Sequence, residues 1–373
     1  MNYKRFLGAA SAALMIIIAI LTLAQGAGAA SKYKTLYKFS GGKDGGFPKA
    51  SLIFDQAGNL YGTTLYGGAF AAGTVFKLAP NADGSWRESV LHSFCSRTNC
   101  GDGEFPEASL IFDQAGNLYG TTFEGGAHDG GTVFKLAPNA DGSWRESVLH
   151  SFCSRTNCGD GKLPLASLIF DQAGNLYGTT DDGGAHEGGG TVFKLTPNAE
   201  GSWRESVLYS FCSRTNCGEG AEPFDSLIFD QAGNLYGATE YAGAHGGGTV
   251  FKLAPNADGS WKESVLHSFC SRPNCGDGAN PLASLIFDQA GNLYGTAFDG
   301  GDQGLCLASG CGVVFKLTPN LNGRWKEAVL HAFADHPGAN PSAGIIFDAA
   351  GNLYGTSTGD GSGTFGSVFE ITP

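Results

Sequence analysis

Acidic and histidine side chains recur at matching positions in successive stretches of this sequence, shortly after a repeated Tyr-Gly pair. Carboxylate oxygens suit calcium and cationic or hydroxylated ligands, and imidazole is a common metal ligand. The stretches are near copies of one another elsewhere but differ at these positions, so we predict a ligand site there. The predicted ligand-binding residues are Glu124, Asp181, Asp182, Glu240, Asp299, His128, His186 and His245.

The alternative interpretation of the same residues is a set of solvated loop charges and solvent-facing loop histidines. The chain contains no Walker motif, no G-x-S-x-G, no H-E-x-x-H and no EF-hand loop. Catalytic residues are therefore not assigned, and no cofactor is predicted, with calcium kept as a candidate ion. The repeated Asp of "FDQAGN" is interpreted as a turn cap, and the repeated Trp as a packing residue in preference to a sugar platform.

The ten cysteines form five pairs with one spacing, which suits either metal ligands or short disulfide loops. The N-terminus decides between them, because Lys4 and Arg5 precede an apolar run over 6–23 and a small-residue exit at Ala29. This is the pattern of a secretory signal peptide, which we predict over 1–30. An exported chain, whether secreted, periplasmic or at the cell surface, favours disulfides. The predicted pairs are Cys95–Cys100, Cys153–Cys158, Cys212–Cys217, Cys270–Cys275 and Cys306–Cys311.

The charge balance narrows the range of partners. The chain has 35 acidic and 23 basic residues, a formal net charge of −12. Removal of Lys4 and Arg5 with the signal peptide would leave 21 basic residues and a charge of −14 (35 against 21). Such a chain is a poor partner for nucleic acid or anionic membranes. After signal cleavage no apolar run is long enough to span a membrane, and we predict a monomer with an extracellular ligand or protein partner.

A repeat organises the whole chain. "FDQAGNLYG" begins at Phe54, Phe112, Phe170, Phe229 and Phe287, and "FDAAGNLYG" begins at Phe347, so the steps are 58, 58, 59, 58 and 60 residues. This period suits one propeller blade. In the first unit "ASLIFD", "NLYGTTL", "GTVFKLAP" and "SWRESVLHSF" have the composition and alternation of four strands. We predict an all-β fold over 31–373, a single six-bladed β-propeller with four strands per blade.

The chain ends complement each other. The sixth unit stops after its third strand, "GSVFEITP", and the mature chain begins with "YKTLYKFSGG", in which Leu36 and Phe39 correspond to Leu91 and Phe94. We predict that this N-terminal strand completes the last blade and closes the ring, which removes exposed sheet edges. An open array of β-units is the alternative. In a four-stranded meander the second-to-third loops and the links between blades share one end, which we expect to carry recognition.

The pattern "SLIFDxxGNLYGTT…GGTVFKL.PNADGSW.ESVLHSF" resembles the GloVer tandem repeat of exported bacterial proteins. The resemblance covers about Tyr33 to Pro373 and implies a secreted or surface-displayed repeat protein. NHL-type and gluconolactonase-type propellers are similar more weakly, and their metal-binding catalytic residues have no counterparts that can be placed here. We predict an extracytoplasmic propeller that binds a ligand or partner. The alternatives are a secreted lyase, lactonase or glycoside hydrolase acting on extracellular polymers, and a purely structural surface or matrix protein, so enzyme status stays open.

Overall fold

The computed structural model of the protein describes residues 35–186, 188–301, 309–333, 339–357 and 367–372. The chain divides into two units, Met1–Lys38 and Phe39–Pro373. The described residues of the first unit, 35–38, have no regular secondary structure. The predicted signal peptide over 1–30 lies outside the described residues.

Every repeat in the second unit folds as an antiparallel meander, with a short inner strand, two middle strands and, in the first five, a longer outer strand. Blades 1 to 3 are β1 (Ile53–Phe54), β2 (Leu60–Thr64), β3 (Thr74–Pro80) and β4 (Trp86–Ser93); β5 (Ile111–Phe112), β6 (Leu118–Thr122), β7 (Thr132–Pro138) and β8 (Trp144–Ser151); β9 (Ile169–Phe170), β10 (Leu176–Thr180), β11 (Thr191–Pro197) and β12 (Trp203–Ser210). Blades 4 to 6 are β13 (Ile228–Phe229), β14 (Leu235–Thr239), β15 (Thr249–Pro255) and β16 (Trp261–Ser268); β17 (Ile286–Phe287), β18 (Leu293–Ala297), β19 (Val313–Pro319) and β20 (Trp325–Ala332); β21 (Ile346–Phe347), β22 (Leu353–Ser357) and β23 (Ser367–Ile371).

The sheets confirm the prediction of an all-β, six-bladed β-propeller. Neighbouring middle strands pair without a register shift, as Leu60 does with Leu78, whereas the third and fourth strands carry a β-bulge at Val75/Phe76 and its equivalents. Within the described residues the sixth sheet, β21–β22–β23, has three strands. Completion of that blade by the N-terminal strand stays a prediction.

The turn of "DQAGN" is held by its aspartate, as the sequence predicted. Asp55 Oδ1 accepts hydrogen bonds from the amides of Ala57 and Asn59, and its Oδ2 accepts from Asn59 Nδ2 and Tyr61 OH, at 2.7–3.0 Å. Gly58 has a φ of 80°, which residues with a Cβ rarely adopt. The same bonds recur at Asp113, Asp171, Asp230, Asp288 and Asp348. The two oxygens of this carboxylate accept four hydrogen bonds from the turn and the strand that follows, so its role is to stabilise the turn.

Aromatic rings join each blade to the next one. The Tyr61 ring of blade 1 meets Phe112 and Trp144 of blade 2 edge-on, at centroid distances of 5.1 and 6.2 Å. At the other end of the same interface, Phe94 is fully buried against Phe134 at 5.0 Å. Burial of a phenylalanine of this kind contributes about 2–3 kcal/mol. The predicted packing role of the repeated Trp is confirmed by these contacts.

Short disulfide loops begin the links between the blades. Cys95–Cys100, Cys153–Cys158, Cys212–Cys217 and Cys270–Cys275 are bonded as predicted. Cys311 is also disulfide-bonded, and its predicted partner Cys306 lies outside the described residues. Each of the four loops contains a single 3-10 turn, such as Thr98–Cys100, and no helix in the described residues is long and apolar enough to cross a membrane.

A buried acidic side chain accepts hydrogen bonds within each of the four disulfide-containing links. Asp102 accepts hydrogen bonds from Ser96 Oγ at 2.7 Å and contacts His92 Nε2 at 3.0 Å. Burial alone would raise the pKa of Asp102, but the hydrogen bonds from His92 and Ser96 hold that pKa well below its usual range. The third of these links has Tyr209 and Glu219 instead, with the longer acid reaching Ser213 Oγ at 2.7 Å. The strand histidines are therefore structural, as expected.

The segment that begins the second unit repeats this link without cysteines. Phe39 lies edge-on to Phe76 at 4.9 Å, which matches the Phe94–Phe134 contact of the following interface. The amide of Ser40 donates to Asp44, as that of Ser96 does to Asp102. Phe39 thus meets blade 1 in the way that an outer-strand phenylalanine meets the blade that follows it.

Loss of one disulfide should weaken the fold without abolishing it, because the link from Phe39 forms without one. We expect Cys95→Ser with Cys100→Ser to lower the free energy of unfolding by about 2 kcal/mol, since closure of so short a loop restricts the unfolded chain. Denaturant unfolding measures this difference, and mass spectrometry of unreduced peptides checks the pairing. Free thiols in the exported protein, or stoichiometric zinc released by a chelator, would contradict the assignment.

Candidate functional site at the loop face

The loop face is the end of the propeller that carries the second-to-third strand loops and the links between blades. There each link pairs with the end of its own second strand: Glu104 N donates to Glu124 O at 2.9 Å and Phe123 N to Phe105 O at 3.0 Å. Phe105 N also donates to Ala72 O of the preceding blade at 2.9 Å. The same bonds recur in blades 1 to 5, so equivalent side chains stand at equivalent places in these blades.

Three positions of each blade therefore form this face. The link position holds Phe47, Phe105, Leu163, Glu222, Asn280 and Asn340. The two strand-end positions hold Leu65–Tyr66, Phe123–Glu124, Asp181–Asp182, Glu240–Tyr241 and Phe298–Asp299, and the sixth pair, Thr358–Gly359, lies outside the described residues. Blades 3 to 5 thus supply carboxylates, and blades 1 and 2 supply mainly aromatic rings.

Asp181, Glu222 and Glu240 form the acidic centre of the loop face. Glu240 N donates to Glu222 O at 2.9 Å, and Glu222 N donates to Gly189 O of the preceding blade at 3.0 Å. A Cβ built on Gly190 would lie 2.7 Å from the Asp181 carbonyl oxygen and 2.6 Å from the ring of Pro223. Since Glu222 precedes that proline, the backbone brings the three acidic residues together across the boundary between blades 3 and 4.

These carboxylates perturb one another. Burial, followed by the charges of Glu222 and Glu240, raises the pKa of Asp181 to about 7. Burial and the charge of Glu240 also raise the pKa of Glu222. Burial raises the pKa of Glu240, which is raised further by the charge of Asp299 and lowered by a hydrogen bond from Tyr241. A cation or a hydrogen-bond donor at this centre would relieve the repulsion between the acids.

The other predicted acidic residues differ from this centre. Asp182 forms an ion pair with Lys162 at 2.8 Å; burial raises the pKa of Asp182, but the bond from Lys162 and a hydrogen bond from the Gly183 amide together lower it. Glu124 stands opposite Glu104, whose pKa is raised by burial and by the charge of Glu124. Burial raises the pKa of Asp299. Asp182 is therefore already neutralised, and it is the weakest of the predicted acidic ligands.

The three predicted loop histidines, His128, His186 and His245, are exposed. Among the described residues, Cys95, Cys100 and Glu104 are the only group of three metal-ligating side chains whose ligand atoms lie within 4.8 Å of one another. Both thiols of that group are consumed by a disulfide. Among the described residues neither these histidines nor Asp181, Glu222 and Glu240 form such a group, although the three carboxylates are close enough for their charges to affect the pKa of Asp181.

The wider clefts open at the opposite end, between the "DQAGN" turns of adjacent blades. One of about 640 Å³ lies between the turns of blades 4 and 5 and includes Tyr236 and Trp325. Its aspartates, Asp230 and Asp288, are hydrogen-bonded within their own turns. Little polar capacity is left there for a ligand, and the loop face is the better candidate.

Comparison with known protein families identifies the family of the chain. A model described as the Gloeobacter/Verrucomicrobia repeat matches residues 22–188, 88–307 and 187–373 in three overlapping regions. The chain belongs to this repeat family. The resemblance seen in the sequence is thereby confirmed. No curated protein sequence matches the chain significantly.

Solved structures share only distant likeness with this Gloeobacter/Verrucomicrobia repeat chain. PorZ, a bacterial surface component of the type-IX secretion system of Porphyromonas gingivalis, is 14% identical with a TM-score of 0.49, over 86% of this chain and 40% of PorZ. An α-L-arabinanase of Penicillium chrysogenum complexed with arabinobiose is 15% identical with a TM-score of 0.49, over 87% and 92% of the two chains. The Bacillus subtilis arabinanase Arb43A is 14% identical with a TM-score of 0.36, over 70% and 91%.

Sequence reasoning missed two features of the loop face in this repeat protein. Glu222 was not among the predicted residues, although alignment of the repeats at the proline of each link shows that the position before it varies as much as the strand ends do. Phe47, Tyr66 and Phe105 were missed too. Phe47 is 70% exposed and Tyr66 46% exposed, and the Tyr66 ring lies 5.7 and 5.5 Å from the rings of Phe47 and Phe105.

Proposed function

We propose that the protein is an extracytoplasmic binding propeller. Its loop face binds a saccharide or another ligand that carries hydroxyl or cationic groups. The observation that carries the proposal is the convergence of Asp181, Glu222 and Glu240 at one blade boundary. Carboxylates accept hydrogen bonds from ligand hydroxyl or ammonium groups, and the exposed rings of Phe47 and Tyr66 offer apolar faces against which a sugar ring can stack. Calcium is a candidate ion for the same oxygens.

Export is part of the proposal. Four closed disulfides in one chain suit an oxidising compartment. This supports the predicted signal peptide over 1–30 and a secreted, periplasmic or surface-exposed location; a propeller domain over 31–373 and a monomeric state are further parts of the proposal. The acidic charge supports a cationic or neutral partner.

A hydrolase acting on extracellular polymers is the second candidate, and one observation favours it. Asp181 has a pKa raised by burial to about 7, beside carboxylates that belong to a different blade. An acid that holds a proton near neutral pH next to an ionised partner is the arrangement used for glycoside cleavage. A binding protein and a hydrolase differ in turnover, which reducing-sugar release from the bound oligosaccharide measures directly.

Calorimetric titration with calcium and with neutral and amino-sugar oligosaccharides tests the binding proposal. We expect Asp181→Asn with Glu240→Gln to weaken binding at least tenfold, because two charged acceptors are lost from the contact. Glu200→Gln, on an exposed turn at the opposite end, is the matched control and should bind as the wild type does. Unchanged binding by the double variant would place the ligand elsewhere, and absence of any binding would favour the purely structural alternative.

A further inference from the structure

A narrow cavity of about 210 Å³ lies on the axis of the propeller. It is lined by the residues that lead into the inner strand of every blade. These are Lys49, Ala50, Ser51, Glu107, Ala108, Ser109, Leu165, Ser167, Phe224, Asp225, Ser226, Leu282, Ser284, Ser342, Ala343 and Gly344. All six blades contribute, so a residue that changes in a single blade faces five different neighbours across the axis.

Serine hydroxyls follow one another around this cavity. Ser51 N donates to Ser109 Oγ at 3.0 Å, and Ser109 N donates to Ser167 Oγ at 3.0 Å. These two bonds join blade 1 to blade 2 and blade 2 to blade 3 beside the axis. Among the described residues no such bond runs from Ser167 N to Ser226 Oγ, and the amide of Ser226 donates to the neighbouring carboxylate of Asp225.

Blade 4 differs from the other blades in the residue that follows Phe224. That residue is Asp225, whereas the equivalent residues of the other five blades are alanines, namely Ala50, Ala108, Ala166, Ala283 and Ala343. The Asp225 carboxylate is surrounded by protein, although the residue keeps partial contact with the cavity. Burial raises the pKa of Asp225, against the opposing effect of hydrogen bonds from Ser226 and Ser284.

A second polar group beside Asp225 is unsatisfied. Thr63 Oγ1 donates to Ala108 O at 3.2 Å, and Thr121 Oγ1 donates to Ala166 O at 3.3 Å, in each case across a blade boundary. Thr179 is the equivalent donor toward the carbonyl of Asp225. It is 1% exposed, and its Oγ1 has no hydrogen-bond partner among the described residues. Aspartate at this place therefore costs the blade boundary a bond as well as the desolvation of a charge.

The charge of the cavity wall is unbalanced. Lys49 is the only cationic residue lining the cavity, and it is ion-paired with Glu107 at 3.1 Å. Asp225 is then left without a counter-ion in a cavity whose wall also carries several serine hydroxyls. Carboxylate and water oxygens are ligands that hard cations such as Ca²⁺ prefer, and the serine hydroxyls add neutral oxygen atoms beside them. The cavity has room for an ion and a few water molecules, at about 30 Å³ for each water.

We propose that the axial cavity is a cation site, in which the Asp225 carboxylate and the surrounding serine hydroxyls bind Ca²⁺ at the centre of the ring. The site is distinct from the loop-face carboxylates Asp181, Glu222 and Glu240, none of which lines this cavity. Its occupant would tie blade 4 to its neighbours at the point where the serine series is interrupted. The other role open to Asp225, a neutral carboxylic acid without an ion, is an outcome of the test.

Asp225→Ala is the variant of choice, because it restores the residue that the other five blades already carry and should fold. We expect the chelator-treated wild type to bind one Ca²⁺ per chain at the axis by calorimetry and to show a saturable rise in Tm of several degrees with Ca²⁺. Asp225→Ala should lose that binding event and the rise in Tm. Asp225→Asn, which keeps the shape of the side chain, should lower the affinity for Ca²⁺ at least tenfold.

Asp181→Asn with Glu240→Gln separates this site from the loop face. That double variant should keep the axial Ca²⁺ event and its rise in Tm, whatever becomes of saccharide binding. Absence of Ca²⁺ binding in the wild type, or an equal shift in Tm in Asp225→Ala, overturns the proposal and leaves Asp225 as a neutral acid. Loss of Ca²⁺ binding in the loop-face double variant alone overturns it as well.

Discussion

Replacement of Arg97 by alanine should lower the free energy of unfolding by about 3 kcal/mol at pH 8. The Arg97 guanidinium reaches from the link after blade 1 to Glu146 on the outer strand of blade 2, whose side chain is 3% exposed. The same pair joins Arg155 with Glu205, Arg214 with Glu263, and Arg272 with Glu327. Removal of the arginine leaves a buried carboxylate without its counter-ion. The free-energy penalty of that unpaired charge is larger than the net stabilisation that the ion pair provides.

The loss should depend on pH in a defined direction. Burial already raises the pKa of Glu146 against the attraction of Arg97, so loss of Arg97 raises it further. Burial together with the charge of Asp44 raises the pKa of Glu88 to about 7, and burial raises the pKa of Glu263 to about 7 even beside Arg214, so part of this pH dependence is already present in the wild type. A folded-state pKa above the unfolded value of 4.5 means that stability is full below pH 4.5 and falls as the pH rises through the folded pKa. Arg97→Ala should therefore be nearly as stable as the wild type at pH 4.5 and progressively weaker toward pH 8.

Denaturant unfolding between pH 4.5 and pH 8 measures this difference. Arg87→Ala, an exposed arginine on the outer strand of blade 1, is the matched control and should change stability by no more than about 0.5 kcal/mol. Adding Glu146→Gln to Arg97→Ala should recover most of the loss at pH 8, since no buried charge remains. An equal loss at both pH values would show that Arg97 acts through packing and that the ion pair is incidental.

The sequence predicted the architecture because the architecture is repeated. Six copies of "GNLYG" at a nearly constant step fix the number of blades, and the Asp55 type of turn could be assigned from residue chemistry alone. The length of the inner strand could not, since "ASLIFD" reads as one mainly apolar run but only Ile53–Phe54 pairs with β2. The residues before that pair turn toward the axis, where Ser51 bonds the neighbouring blade in place of its own sheet.

The candidate sites were less accessible to sequence reasoning. Asp181 and Glu240 stood out because neighbouring repeats differ from them, but their pairing with Glu222 depends on a backbone bond between link and strand end. Asp225 is one change in a stretch that reads "PFDS" in blade 4 and "PLAS" in blades 3 and 5, and its meaning comes from convergence of six blades on one axis. Distances between equivalent residues of different blades are set by the closed ring, and no local pattern encodes them.

Replacement of Phe39 by alanine tests that closure and should lower the free energy of unfolding by about 1–2 kcal/mol, because its ring is only partly buried. Phe39 meets Phe76 at 4.9 Å, while Phe94 meets Phe134 at 5.0 Å and Phe333 meets Phe369 at 5.2 Å. If the N-terminal strand is the missing outer strand of blade 6, Phe39 performs the same task as Phe94. Phe94→Ala should then be at least as damaging, because that ring is fully buried.

Phe70→Ala is the matched control for this closure, since the Phe70 ring is 53% exposed on a loop of blade 1. Its loss should change the free energy of unfolding by no more than about 0.5 kcal/mol. A chain that starts at Gly41 lacks Phe39 together with the rest of the predicted strand, and its Tm should fall further than that of Phe39→Ala because a sheet edge is also exposed. The measurement is thermal and denaturant unfolding of the wild type and these four variants side by side. If Phe39→Ala resembled Phe70→Ala and the shortened chain melted with the wild type, the ring would have to close without the N-terminal strand, and the open array would become the better description.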